Sequence, residues 1–237
     1  MRLENIVWDA RDPRRLGTFW AGALGAERLT DEPGIYEARL SLAAGFFLDL
    51  CFQHVAAPST SPARLHLDVA GGVGQREVVD RLVALGAEHT DGGQEDVPWV
   101  VLTDLEGNAF CVREQRDEYN SAGPIAALPM DSSAPERDAT FWAEITGWTP
   151  VDGAAPATLR HPARTGPLLE FWPEPASKHG KNRLHLDVRR DRTDDDALDR
   201  ILDSGASRID HEGPNLPWVV MTDPSGNEFC VLPAPSA

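Results

Sequence analysis

The sequence is poor in cysteine and has no long apolar run. Its three cysteines, Cys51, Cys111 and Cys230, form no Cys-x-x-Cys pair and no even set, which argues against a disulfide framework and favours a reducing compartment. The densest apolar run, residues 42–48, is far shorter than the roughly 18 residues that span a bilayer. The N-terminal residues MRLEN lack the pattern of a signal peptide. We therefore expect a soluble, cytoplasmic protein with no membrane partner.

Positive charge is also scarce. Twenty-two basic residues face 38 acidic ones among 237, which gives a formal net charge of −16. Such a field repels phosphate, so nucleic acid is excluded as a non-specific partner. The sequence has no G-x-S-x-G, no Walker loop and no G-x-G-x-x-G after a strand. An apolar content of 41% is nevertheless ordinary for a globular protein, which excludes disorder.

An internal repeat dominates the sequence. The segment RLHLDV at residues 64–69 recurs letter for letter at residues 183–188, 119 positions later. At the same offset, PWVVLTD at residues 98–104 returns as PWVVMTD, and GNAFCV at residues 107–112 returns as GNEFCV. Earlier in each half, TFWA at residues 18–21 recurs 122 positions later. A period of about half the chain indicates tandem duplication rather than a solenoid.

The element pattern within a half indicates two successive strand–helix–strands units. In the first half, Asp12 and Pro13 are typical of a helix start and Gly25 of its end. Strands are predicted at residues 3–8, 36–42, 46–53, 65–69, 97–103 and 109–113, and a second helix at 75–85. The polar stretch before Pro124 predicts the boundary. We expect domains at 1–116 and 125–237, joined by a linker at 117–124.

Several motifs resemble the vicinal oxygen chelate superfamily, which contains glyoxalase I, bleomycin-resistance proteins and extradiol dioxygenases. They are NRLHLD at residues 182–187, TDPSGNEFC at residues 222–230, and the DARDP opening followed by Phe19-Trp20. These motifs are similar to those of the glyoxalase-like branch of that superfamily. The resemblance implies an α+β fold of two tandem glyoxalase-like domains, each of two βαβββ units that form a curved mixed-sheet cup with helices outside.

In such a cup, strand alternation sorts side chains between a helix-packed face and a pocket face. The apolar residues of 65–69 pack on the helix, which leaves His66 and Asp68 toward the pocket. Applied to the other strands, this sorting predicts the pocket residues: Asp49, His66, Asp68, Glu170, Trp172, His185 and Asp187. Trp172 is aligned with Cys51, so the two halves are expected to differ there.

Metal-dependent members of the superfamily carry ligands at four strand positions, and the resemblance implies two incomplete sets here. The first is Asp49, His66 and Cys111; the second is Glu170, His185 and Cys230. The first-strand positions hold Asn5 and Ala127, which depart from the pattern. A metal bound at either set would be Zn, Fe, Ni or Mn; the alternative is no cofactor, with both histidines as hydrogen-bonded wall residues and both cysteines as small buried hydrophobes.

Two functions follow from these expectations. The first is a glyoxalase/bleomycin-resistance-like protein that binds a small molecule in a sheet-lined pocket. The alternative is a divalent-metal-dependent lyase, isomerase or dioxygenase. In either case the partner is a small-molecule ligand, and the protein is a monomer or a homodimer. Residues 178–183, the most basic stretch, form either a solvated loop or a loop that draws an anionic ligand.

Overall fold

The computed structural model describes residues 1–90, 97–210 and 216–235, which form four βαβββ units. Unit 1 contains β1 (Arg2–Ala10), α1 (Pro13–Leu24), β2 (Glu27–Glu32), β3 (Ile35–Ser41) and β4 (Phe47–His54). Unit 2 contains β5 (Asp68–Gly72), α2 (Gln75–Ala84), β6 (Glu88–His89), β7 (Val100–Thr103) and β8 (Ala109–Glu114). Short 3-10 turns lie at Ala43–Gly45 and Asp117–Tyr119.

The second half repeats this order. Unit 3 contains β9 (Ile125–Ser132), α3 (Pro135–Thr146), β10 (Thr149–Pro150), β11 (Ala157–Arg160) and β12 (Leu168–Pro173). Unit 4 contains β13 (Leu184–Arg189), α4 (Ala197–Asp203), β14 (Ser207–Arg208), β15 (Val219–Thr222) and β16 (Glu228–Leu232). None of the helices in the described part of the chain is long and apolar enough to cross a membrane.

Two eight-stranded mixed sheets are built from these units, and each sheet draws on both halves of the chain. Sheet A has the order β14-β15-β16-β13-β1-β4-β3-β2, so it joins unit 4 to unit 1. Sheet B has the order β10-β11-β12-β9-β5-β8-β7-β6, so it joins unit 3 to unit 2. The joins are antiparallel, between β1 and β13 and between β5 and β9. The expected α+β class with curved mixed sheets is confirmed, but the sheets do not follow the boundary between the halves.

Helix α1 shows how the local sequence sets an element. The Asp12 carboxylate accepts a hydrogen bond from the Arg15 amide at 3.0 Å, and Pro13 follows at the first helical position. Gly25 ends the helix at φ 70°, a left-handed conformation that glycine adopts without steric cost. These three positions confirm the predicted helix boundaries.

The strand expected at residues 65–69 is shorter than predicted. Strand β5 begins only at Asp68, and Leu65 forms an isolated bridge to Met130. Opposite this stretch is Pro129 of β9, which accepts a hydrogen bond from the His66 amide but has no N–H to donate in return. Its counterpart in sheet A is Val7, and there the equivalent strand β13 runs unbroken over Leu184–Arg189.

The repeated tryptophan and aspartate motifs connect the two sheets. Trp20 of α1 donates from its indole Nε1 to Asp104 Oδ2 at 3.0 Å, and Trp142 of α3 donates to Asp223 Oδ2 at 3.2 Å. The Trp20 ring also lies 4.9 Å, centroid to centroid, from Phe110 of β8. Because α1 packs on sheet A while Asp104 follows a strand of sheet B, this contact ties together the two units of one half. Most of the buried apolar residues, from all four units, form one continuous core, and a small second cluster includes Ala127 and Leu168.

Candidate small-molecule site on sheet B

A cavity of about 710 Å³ lies on the concave face of sheet B. Its wall is largely apolar, and the polar side chains among its lining residues include His66, Asp68, Cys111 and Arg113. These polar residues alternate with Leu67, Phe110 and Val112, which are buried in the core. Strand alternation therefore accounts for how a hydrophobic core and a polar pocket floor share the same strands.

His66, Asp68 and Cys111 come together at the floor of this cavity. One ligand atom from each lies within 4.8 Å of the other two. His66 Nε2 is 3.5 Å from Asp68 Oδ1, and that oxygen has no hydrogen-bond partner among the described residues. Burial, together with the negative charge of Asp68, raises the pKa of the Cys111 thiol to about 12. The thiol is therefore protonated at neutral pH unless a metal displaces the proton.

Glu170 lies on the same sheet and is only 1% exposed. It accepts a hydrogen bond from Trp172 Nε1 at 3.1 Å through Oε2, while Oε1 has no partner among the described residues. Burial raises the pKa of Glu170 to about 7, and the charge of Asp68 adds to the increase. Trp172 lines the cavity and Glu170 does not. Glu170 therefore holds the indole in position through the hydrogen bond from Nε1 and does not itself line the cavity.

Arg113 and Trp99 also line the cavity, and neither is in the set of pocket residues predicted from the sequence. Arg113 follows Cys111 by two positions on β8 and therefore shares its face, a signal that the alternation already contained. Trp99 precedes β7, and the Arg113 guanidinium carbon lies 4.4 Å from the centroid of its ring. Trp99 falls within the strand predicted at residues 97–103, but β7 begins only at Val100, so strand alternation did not indicate where the ring lies.

The matching cluster on sheet A is more deeply buried. His185 Nε2 lies 3.4 Å from Asp187 Oδ1 and 3.6 Å from Cys230 Sγ, and Asn5 donates to Asp187 Oδ2 at 3.0 Å. Burial lowers the pKa of His185 to about 3, helped by the charge of Lys181, and burial raises the pKa of Asp187 to about 7. Side-chain exposure is 9% for His185 but 34% for His66. The sheet A imidazole is therefore neutral and packed, whereas that of sheet B reaches the cavity.

Two lysines of the basic loop form ion pairs with acidic residues on strands of sheet A. Lys178 Nζ lies 2.6 Å from Glu228 Oε1, and Lys181 pairs with Asp9. The second oxygen of Glu228 accepts a hydrogen bond from the Asn182 amide at 3.1 Å. These contacts favour the interpretation of the basic loop as a structural cover and leave its lysines paired within the chain.

The predicted ligand sets are regrouped by the sheet topology. Glu170 lies on sheet B with His66, Asp68 and Cys111, and not beside His185 and Cys230 on sheet A. Asp49 lies on sheet A, where its oxygens accept hydrogen bonds from Arg39 at 2.8 and 2.6 Å. The sequence predicted the side chains of each set from one half, whereas the two units of each sheet come from different halves.

The register of β4 and β12 also corrects the alignment of the two halves. Asn5 lies beside Asp49 in sheet A, and the matching Ala127 lies beside Leu168 in sheet B. The structural counterparts are therefore Asp49 and Leu168, Cys51 and Glu170, and Gln53 and Trp172. The expected alignment of Trp172 with Cys51 is wrong by two residues, one full period of a strand.

The family model of the glyoxalase-like domain matches residues 5–113 and 127–232, and the chain belongs to this family, within the vicinal oxygen chelate superfamily. Glyoxalase I from Zea mays is similar in fold, with a TM-score of 0.69, 17% identity and coverage of 98% of this chain and 92% of that one. A candidate dioxygenase from Bacillus subtilis has a TM-score of 0.64 at 17% identity, covering 100% and 86%. No curated protein matches the sequence. The expected superfamily is thus confirmed, and these likenesses define the fold alone.

Proposed function

We propose that the protein binds a small organic molecule in the cavity on sheet B. The observation that carries this proposal is the cavity itself, about 710 Å³ in volume, with Trp99 and Trp172 in its wall and His66, Asp68 and Arg113 among its polar groups. Ligand sites in proteins are typically concavities of 300–1,000 Å³ with mostly apolar walls and a few polar groups that fix orientation. The paired lysines of sheet A support a single site per chain.

A screen of small fragments by thermal shift, followed by calorimetry on the hits, tests this proposal. We expect hits with one site per chain, and we expect Trp99→Ala to weaken them about tenfold or more, because the ring forms part of the wall. Trp218, at offset 119 from Trp99, provides the matched control: Trp218→Ala should leave their affinity unchanged. Hits that respond only to Trp218→Ala, or a site stoichiometry of two, would contradict the proposal.

Metal-dependent catalysis is a second candidate, favoured by the convergence of His66, Asp68 and Cys111 within 4.8 Å. Imidazole, carboxylate and thiolate are all ligands of zinc, and three protein ligands beside an open cavity suit a catalytic site. The unpartnered Asp68 Oδ1 also fits a cation. A divalent metal held there would supply Lewis acidity to a ligand in the cavity. Lyase, isomerase and dioxygenase chemistry all remain within this candidate.

Elemental analysis of protein purified without chelator separates the two candidates. The metal-dependent function predicts close to one equivalent of metal that is lost in His66→Ala and retained in His185→Ala. Metal-free protein with an unchanged melting temperature on chelation would exclude the metal-dependent function and leave the binding function in place.

A further inference from the structure

Arg113 is a buried cation whose hydrogen-bonding capacity is not met by the protein. The residue is 8% exposed and its side chain 9% exposed, yet it lines the cavity. Its Nε has no hydrogen-bond partner among the described residues. Asp68 Oδ2 lies 3.5 Å from Nε, an ion pair without a hydrogen bond. A guanidinium carries five N–H donors, and burying them without acceptors is costly.

The other arginine of the cavity differs in this respect. Arg116 also lines the cavity, but its guanidinium pairs with Glu114 and lies 3.5 Å from Glu118. On sheet A the position equivalent to Arg113 is Leu232, at offset 119. The Arg113 guanidinium is therefore a feature of the sheet B cavity, and sheet A has a leucine at the equivalent position.

The surroundings of Arg113 also indicate the shape of its ligand. The guanidinium carbon lies 4.4 Å from the centroid of the Trp99 ring and 5.7 Å from that of Tyr119. These two aromatic rings hold the planar guanidinium in place. A guanidinium held in this way is suited to bidentate recognition of a planar carboxylate. Trp99 and Trp172 offer flat apolar surface in the same cavity. Asp68 and Asp131 line it as well, and their carboxylates disfavour a ligand with several negative charges.

We infer that the ligand is a small organic acid with one acidic group and a flat apolar body. This inference rests on the proposed binding function and adds the chemical class of the ligand. The acidic group occupies the donors of Arg113, and the apolar body packs on the tryptophan rings of the wall. The charged lining residues, Asp68, Asp131, Arg113 and Arg116, cancel one another. A ligand with one acidic group therefore adds a single negative charge to the cavity, and each further acidic group adds another.

Two matched probes test the inference by calorimetry: 2-naphthoate and its uncharged analogue 2-naphthamide. We expect naphthoate to bind at least tenfold more tightly, a difference of about 1.4 kcal/mol, because a carboxylate accepts two charge-assisted hydrogen bonds from a guanidinium. Arg113→Met should remove this ratio, and Arg113→Lys, which keeps the charge but loses the fork, should retain only part of it. Arg14→Met, at an exposed arginine of α1 that does not line the cavity, is the control and should keep the ratio.

Each other outcome has a defined meaning. Equal binding of the two probes to the wild-type protein would overturn the inference and leave the proposed binding function in place. Binding of neither probe would overturn the inference about the ligand class, and the binding function would then be decided by the fragment screen. A tenfold preference for naphthoate that persists in Arg113→Met, with the melting temperature unchanged, would show that the acid binds elsewhere and would also overturn the inference.

Discussion

Glu170 carries a proton near neutral pH because of where its strand puts it. The side chain is 1% exposed, and burial raises its pKa from 4.5 to about 7. An acid whose pKa is raised on folding binds its proton more tightly in the folded state than in the unfolded chain. The folded state therefore loses stability as pH rises from the unfolded pKa to the folded one, and the loss is complete above pH 7.

The variant Glu170→Gln should lack this pH dependence. Between pH 5.5 and pH 8, the wild-type protein should lose about 2 kcal/mol of unfolding free energy relative to the variant, at about 1.4 kcal/mol per pH unit below the folded pKa. Urea denaturation at the two pH values measures the difference, and both lie above the pI near 4.7, where solubility is lowest. The exposed Glu32→Gln should show no such divergence. Parallel stabilities of wild type and Glu170→Gln would contradict the burial argument.

At the level of elements, the two sheets differ in the sequence of one loop. Residues 178–181 bring Lys178 and Lys181 over sheet A, whereas the equivalent residues 59–62 carry serine and proline at those two positions. The acidic partner changes too, because Glu228 of sheet A corresponds to Ala109, which lines the sheet B cavity. The same fold thus has a lysine–glutamate ion pair on sheet A, and on sheet B both residues are replaced and the alanine at the glutamate position lines a cavity.

A double-mutant cycle tests the pairing of Lys178 with Glu228, whose side chains are only 11% and 12% exposed. Lys178→Ser should cost about 2–3 kcal/mol, because it leaves a largely buried carboxylate without its cation. Adding Glu228→Ala should recover at least half of that cost. Denaturant unfolding gives the free energy of unfolding of the wild type, the two single variants and the double variant. Arg14→Ser at the exposed Arg14–Asp31 pair is the comparison and should cost less than about 1 kcal/mol. Strict additivity of the Lys178 and Glu228 variants would contradict the pairing.

Much of the fold and part of the site could be predicted from the sequence. The letter-for-letter repeat indicated the duplication, and strand alternation indicated that His66 and Asp68 lie on the opposite face of the sheet from Leu67. The partner of each unit could not be predicted, since β1 has the same alternation whether it pairs with β5 or β13. For that reason the predicted sets combined Asp49 with His66 and Glu170 with His185, which lie on different sheets. The short charged strand β2 lacks apolar alternation, so no pattern located it.

At the level of the whole molecule, each half is a continuous segment of the chain, but neither half builds a complete sheet of its own. Each contributes one unit to each sheet, and the two units of a half are tied through the Trp20–Asp104 contact or its counterpart. A half on its own would leave β1 and β5, or β9 and β13, as unpaired edges next to the core. Exposed edges of this kind promote pairing with another chain.

Separate fragments 1–116 and 117–237 should therefore not fold as monomers. We expect each alone to be unfolded or dimeric, and an equimolar mixture to recover a cooperative transition. Size-exclusion chromatography with circular dichroism distinguishes these states. A folded monomeric fragment 1–116 with its own cooperative transition would contradict the account and would support independent domains on either side of residues 117–124.

The central claim is that a ligand binds in the cavity on sheet B and not at the equivalent place on sheet A. Its most direct test uses the seven tryptophans as reporters. Their indole N–H signals in a ¹H–¹⁵N spectrum can be assigned through single Trp→Phe variants. On addition of a mixture of neutral and acidic aromatic fragments, we expect the signals of Trp99 and Trp172 to shift and that of Trp218 to stay in place. A shift of Trp218 without those of Trp99 and Trp172 would contradict the claim.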